Sequence, residues 1–161
     1  MERTTAASAP RPSEAPTLER RRCGVVDPRP ADLASLEGGR ERIQFPAGGD
    51  REVSRAGLAE IERIAAVLRE YPEICIEIAG HVVKSPDAGA YDYGKDLSLR
   101  RAHHVRALLE ERGVAGWRLM TRGAGEDEPI ESNATREGRR KNERIELMIV
   151  TPSYLGEGRA R

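Results

Sequence analysis

Ile74-Cys75-Ile76-Glu77-Ile78-Ala79-Gly80-His81 is the stretch that decides the fold. Its isoleucines alternate with Cys75, Glu77 and Ala79, which puts three β-branched side chains on one face of a strand. Upstream, from Ser54, Leu58, Ile61, Ile64, Ala65 and Leu68 recur at helical spacing, and Pro72 limits that helix. The helix should cover the isoleucine face. Downstream, residues 82–95 hold Pro86, Gly89 and Gly94 among polar neighbours and read as a loop at the carboxyl end of the strand. A second helix follows, with Ser98 or Asp96 as its N-cap and Ala102, Val105, Leu108 and Leu109 as its buried stripe, and Gly113 ends it. Leu119 to Arg122 supplies the next strand and completes a βαβ unit with a right-handed crossover. Residues 123–142 are turn-rich, and Arg144 to Thr151 closes the pattern with Ile145, Leu147 and Ile149 on one face before Pro152. Ahead of all this, Arg42-Ile43-Gln44-Phe45 alternates up to Pro46 and makes a short first strand. The class is α+β.

A chain of 161 residues has the length of one domain. The domain is expected over residues 40–151, between a flexible Pro/Arg-rich arm at 1–39 and a flexible tail at 152–161. The arm holds five prolines and the run Arg20-Arg21-Arg22 without sustained periodicity, and Cys23-Gly24-Val25-Val26 is its one short strand candidate. Basic and acidic side chains balance at 27 each, so no global field draws the protein to nucleic acid or to an anionic membrane. Aromatics at 4% argue against a stacking platform for single-stranded bases. No stretch has the apolar length of a membrane-spanning helix, and Met1 to Arg22 lacks the apolar core of a signal peptide. Two localisations follow as expectations: periplasm or cell envelope if a leader precedes this chain, cytoplasm if the chain is complete as written. Cys23 and Cys75 are too few for a disulfide framework and lack metal-ligand spacing, so they read as two unpaired thiols.

The residues that usually carry chemistry do not assemble into a catalytic or metal-binding pattern. His81 ends a strand and His103-His104 sit in the second helix, with no ligand spacing linking them. Gly123-Ala124-Gly125 is followed by Glu126, Asp127 and Glu128, which would repel an anion, so a tight turn is its expected role. Arg136, Arg139, Arg140, Lys141 and Arg144 form a basic cluster diluted by Glu137 and Glu143, which reads as a solvated face. Arg100 and Arg101 stand out, because they fall in the first turn of the expected second helix, where the dipole disfavours cations. A ligand carboxylate placed there would meet both helix N–H groups and a guanidinium fork.

Taken in order, Ile74 to His81, Leu97-Ser98-Leu99-Arg100-Arg101-Ala102, Gly113-Val114, Gly123-Ala124-Gly125-Glu126, Pro129-Ile130, Asn133, Gly138-Arg139 and Asn142 to Leu147 resemble the OmpA-like domain found at the C-termini of OmpA, Pal and MotB proteins. The resemblance covers about Ile43 to Val150. It implies a βαβαβ-β mixed-sheet sandwich with helices on one face, and non-covalent binding of peptidoglycan through the diaminopimelate of the stem peptide. In the family, an Asp after Gly-His-Thr meets the ligand ammonium, and an Arg early in the next helix meets its carboxylate. Arg101 holds the Arg position, with Ser98 beside it in the same motif. Val83 holds the Asp position, Gly94 stands where an Asn is common, and Glu143 replaces the first Arg of an Asn-Arg-Arg motif whose second Arg is Arg144. The loop between Val83 and Gly94 is a few residues longer than usual, and its Asp87 and Asp92 are candidates for the missing carboxylate.

The expected ligand set is therefore Arg101, Ser98, Arg144, Asp87 and Asp92, with no catalytic residue, metal or cofactor. The expected function is a non-enzymatic cell-envelope module that associates with peptidoglycan through a modified, weakened site. The alternative is an assembly domain that keeps the scaffold for a protein partner and binds no peptidoglycan.

Overall fold

The computed structural model describes residues 23–24, 31–37, 43, 45, 52–83 and 91–150. Among the described residues, four α-helices and three strands follow one another: α1 (Ala31–Glu37), α2 (Arg55–Glu70), β1 (Cys75–His81), α3 (Tyr91–Glu111), β2 (Leu119–Gly125), α4 (Arg136–Asn142) and β3 (Arg144–Val150). The strands form a mixed sheet in the order β2-β1-β3, with β1 parallel to β2 and antiparallel to β3.

α2 begins where Ser54 caps it, its Oγ accepting the Gly57 N–H at 3.1 Å. The helix buries Gly57, Ile61, Ile64, Ala65 and Leu68. Leu58, expected in that stripe, stays 38% exposed, because the first turn faces inward through Gly57, where an added Cβ would run into Val53 and Ile43. α3 buries Ala102, Val105 and Leu109 and ends as expected at Gly113, whose φ of 85° turns the chain so that Val114 N–H reaches the Leu109 carbonyl at 3.1 Å. Between α2 and β1 the buried Arg118 donates to the carbonyls of Ile74 (2.7 Å) and Tyr71 (2.6 Å), which pins the turn that launches β1.

The strand register assigns the two sheet faces. Ile76 of β1 lies opposite Leu119 of β2 and Ile149 of β3, Ile78 lies opposite Leu147 and Gly80 opposite Ile145, and these isoleucines and leucines form the core with α2 and α3. Burial of this aliphatic set is the main driving force for the fold. The opposite face carries Cys75, Glu77, Ala79 and His81 beside Met120 and Arg122 on one flank and Arg144, Glu146, Met148 and Val150 on the other.

Four expectations change. The cysteines are not free thiols: Cys23 and Cys75 are joined by a disulfide, and both are buried with Val150. Two cysteines 52 residues apart give no spacing signal, and only the chain path brings them together. Part of the stretch read as an arm is ordered against the domain: Gly24 N–H bonds the Glu73 carbonyl at 2.7 Å, and α1 buries Leu33 and Leu36 completely in the core. Its 7 residues make only two turns, too short for a periodic signal to register. The second long helix starts at Tyr91, well before Ser98 or Asp96. Gly94 weakens that first turn by about 1 kcal/mol relative to Ala, and packing overrides the penalty. Finally, the short strand expected at Arg42–Phe45 falls partly outside the described residues; Ile43 and Phe45 carry no strand, although Ile43 is fully buried in the core. Val25 and Val26 of the other strand candidate also lie outside the described residues.

Two stability predictions follow. Ile76 is fully buried at the centre of the sheet, and Ile76→Ala should cost about 2 to 5 kcal/mol in urea unfolding; a loss below about 0.5 kcal/mol would contradict its placement. The disulfide closes a long loop, so replacing both Cys23 and Cys75 by Ser should lower stability by about 2 to 4 kcal/mol. Equal stability of the oxidised wild type and the double variant would show that the crosslink does not constrain the unfolded chain.

Candidate functional site

Two glycines bring α3 onto the carboxyl ends of the strands. A Cβ on Gly80 of β1 would collide with the Ser98 carbonyl, and one on Gly123 of β2 would lie 2.5 Å from the Lys95 carbonyl. Without side chains at these positions, the Lys95–Leu99 backbone rests directly on the sheet. Ser98, fully buried, then works as a rivet: its Oγ donates to the Lys95 carbonyl (2.9 Å) and accepts the Gly125 N–H (3.0 Å). Lys95 Nζ pairs with Asp127 at 3.0 Å across the same junction. Val82 N–H bonds the Gly125 carbonyl at 2.9 Å, so the chain leaving β1 through Val83 runs beside the chain leaving β2 through Glu126.

Arg101 lies on the same α3 face, 3% exposed, with its guanidinium carbon 5.3 Å from the centre of the Phe45 ring. His104 meets the same ring edge-on. Arg101 is more than two turns into the helix, because α3 starts at Tyr91. The expected support from first-turn N–H groups and the dipole does not apply, since that effect fades within one turn.

Arg144 is placed differently. It is 4% exposed on the opposite sheet face, with its Nε donating to Glu146 (2.7 Å) and its terminal nitrogens to the carbonyls of Asn142 (3.3 Å) and Glu128 (3.1 Å). These bonds occupy the guanidinium in fixing the α4–β3 junction. Asn142 works alongside it, its Oδ1 accepting the N–H groups of Ile130 (2.8 Å) and Glu131 (2.9 Å). Glu143 caps the end of α4. Of the other candidates, Asp92 falls in the first turn of α3 with only its backbone described, and Asp87 lies outside the described residues. The structure thus brings Ser98 and Arg101 together on one face of α3 and leaves Arg144 on the other side of the sheet.

The outer face is a chain of charges that motif reading passed over. Arg122 Nε donates to Glu77 (2.9 Å) and its Nη1 to Glu128 (2.7 Å), and the hydrogen bond from Arg122 holds the Glu128 carboxyl below its usual range. At the end of the chain His81 is 1% exposed. Its Nε2 lies 3.5 Å from a Glu146 oxygen, within ion-pair reach for a charged ring, yet neither ring nitrogen has a hydrogen bond among the described residues. Burial, reinforced by Arg144, pushes the His81 pKa down, against the opposing pull of Glu146 and Glu128, so the buried ring is neutral near pH 7. Because the folded pKa lies below the unfolded one, stability is fully present above about pH 6.5 and falls as the pH drops through that value toward the folded pKa. His81→Gln should flatten the stability profile between about pH 7 and 5.5, as read by urea midpoints; an unchanged profile would contradict the neutral buried ring.

Comparison with known proteins gives this geometry a context. Residues 47–143 match the model of the OmpA family. The chain is 35% identical over 94 residues to the probable lipoprotein YiaD of Escherichia coli (strain K12), covering 58% of this chain and 42% of that protein. It is 38% identical over 89 residues to the peptidoglycan-binding protein ArfA of Mycobacterium tuberculosis, covering 55% of this chain and 26% of that protein. It therefore spans less than half the length of these curated relatives. Among solved structures, the C-terminal domain of Helicobacter pylori MotB superposes with a TM-score of 0.61 at 27% identity, covering 68% of this chain and 85% of that one. With a family match running over more than half of the sequence and the same mixed sheet and helices, the chain belongs to the OmpA family of non-enzymatic binding domains.

Proposed function

We propose that this chain is a peptidoglycan-associating module of the cell envelope, with a modified site for the diaminopimelate of the stem peptide. The observation that carries the reading is Arg101, a buried guanidinium on the α3 face at the carboxyl ends of β1 and β2, at the position where the family resemblance expects a carboxylate receptor. ArfA, a relative named for peptidoglycan binding, supports the ligand class. The Cys23–Cys75 disulfide supports the envelope over the cytoplasm, since structural disulfides persist in oxidising compartments and are rare where thiols are kept reduced.

The site is modified on its cation-receiving side. Val83 offers no charge where the resemblance expects a carboxylate, and Glu143 adds a negative charge where it expects a positive one. A charge-assisted hydrogen bond contributes about 1.5 to 3 kcal/mol, so the ligand ammonium needs a carboxylate from another element.

Co-sedimentation with purified sacculi tests the reading. The wild type should pellet with sacculi, and Arg101→Ala should stay in the supernatant. A wild type that ignores sacculi would overturn the proposal and favour the assembly-domain alternative. Binding that Arg101→Ala leaves unchanged would move the site elsewhere.

A further inference from the structure

We infer that Glu126 is the ammonium receptor of this site, standing in from β2 for the carboxylate that Val83 does not supply; this rests on the peptidoglycan reading proposed above. Three observations converge on it. The first is position. Val82 and Gly125 are joined by a backbone hydrogen bond of 2.9 Å, so Val83 and Glu126 leave the sheet side by side, and a carboxylate on Glu126 reaches the space that one on residue 83 would serve. Gly125 makes the turn possible, with a φ of 65° that side chains rarely tolerate.

The second is room. Glu126 lies across Gly94, with its Oε1 3.0 Å and its Cδ 3.4 Å from where a Cβ would stand. A Cβ on residue 94 would make the end of the Glu126 side chain give by a few tenths of an ångström, so the glycine in the first turn of α3, unfavourable for the helix, leaves the notch in which Glu126 sits.

The third is availability. In the acidic run, Asp127 pairs with Lys95 and Glu128 with Arg122, whereas the Glu126 carboxylate meets no donor among the described residues. It is half-buried and therefore placed to receive a cation from outside.

The spacing fits a zwitterion. Gly94 and Arg101 lie on one face of α3, seven residues and about 10 Å apart along its axis. Helical side chains lean toward the N-terminus, which carries the guanidinium back toward the Glu126 carboxylate. On this placement an amino-acid head group would turn its carboxylate toward Arg101 and its ammonium toward Glu126. A ligand with carboxylates alone would meet repulsion at the Glu126 end.

Calorimetry with meso-diaminopimelic acid and with pimelic acid, the same carbon chain without its amino groups, tests the assignment on the 161-residue chain. The wild type should prefer diaminopimelic acid by about ten- to a hundredfold. Glu126→Gln, nearly isosteric, should abolish that preference, and Gly94→Asn should do the same by displacing the carboxylate. Val83→Asp placed in the Glu126→Gln background should restore it, which also shows that the Gln variant is folded. Arg101→Ala should weaken both ligands together. Diaminopimelic acid bound through Arg101 but indifferent to Glu126→Gln and Gly94→Asn would overturn the role of Glu126 and leave the peptidoglycan reading standing. No binding of either acid or of sacculi by the wild type would remove both.

Discussion

The contact between α3 and the strand ends at Gly80 and Gly123 is the constraint on which the rest of the arrangement depends. Helices usually pack on sheets about 10 Å away through interleaved side chains. Here two positions without side chains let the Lys95–Leu99 backbone touch the sheet, and any Cβ would force it off. Close approach puts Ser98 Oγ within reach of the Gly125 N–H, Lys95 within reach of Asp127, and Gly94 beneath Glu126. Lifting the helix by the width of a methyl group would break all three, and Arg101, further along the same face, would move with it.

The two faces of the sheet are specialised. The helix-covered face is aliphatic and supplies the stability, whereas the other buries Glu77, His81 and Arg144 among Arg122, Glu128 and Glu146. A partly buried ionic network of this kind returns little net stability, because desolvation and solvent screening offset most of the attraction, but it penalises any register in which its partners separate. The network therefore fixes how β2 and β3 align on β1, and with them the loop that carries Glu126. At the far end of the same face the Cys23–Cys75 bridge ties the preceding segment to the start of β1.

Much of this was legible in the sequence wherever burial imposes a period. The alternating isoleucines from Ile74 to Ile78, the stripe at Ile61, Ile64, Ala65 and Leu68, and the set Ile145, Leu147 and Ile149 all lie in the core where their spacing put them. What escaped has no local signature. The first turns of α3 contain Gly94 and follow a stretch rich in glycine and proline, so they read as loop, and contacts distant in sequence hold them helical. The disulfide joins residues that share no spacing pattern, and α1 is too short to show one. The motif singled out Ser98, Arg101 and Arg144 together, but it could not show that Arg144 lies on the other sheet face, engaged by Glu146, Asn142 and Glu128. Glu126 was read only as one of three acids after Gly125 that would repel an anion, because sequence does not show that it packs across Gly94.

Amide and arginine-side-chain NMR of the labelled protein, titrated with a stem tripeptide ending in meso-diaminopimelate, tests the central claim most directly. The account predicts that the amides of Gly94, Ser98, Gly125 and Glu126 and the Nε–H of Arg101 shift together along one saturable curve, while Met148 and Arg144 on the outer face stay still. Shifts confined to the outer face, or none at concentrations where sacculi are bound, would contradict it.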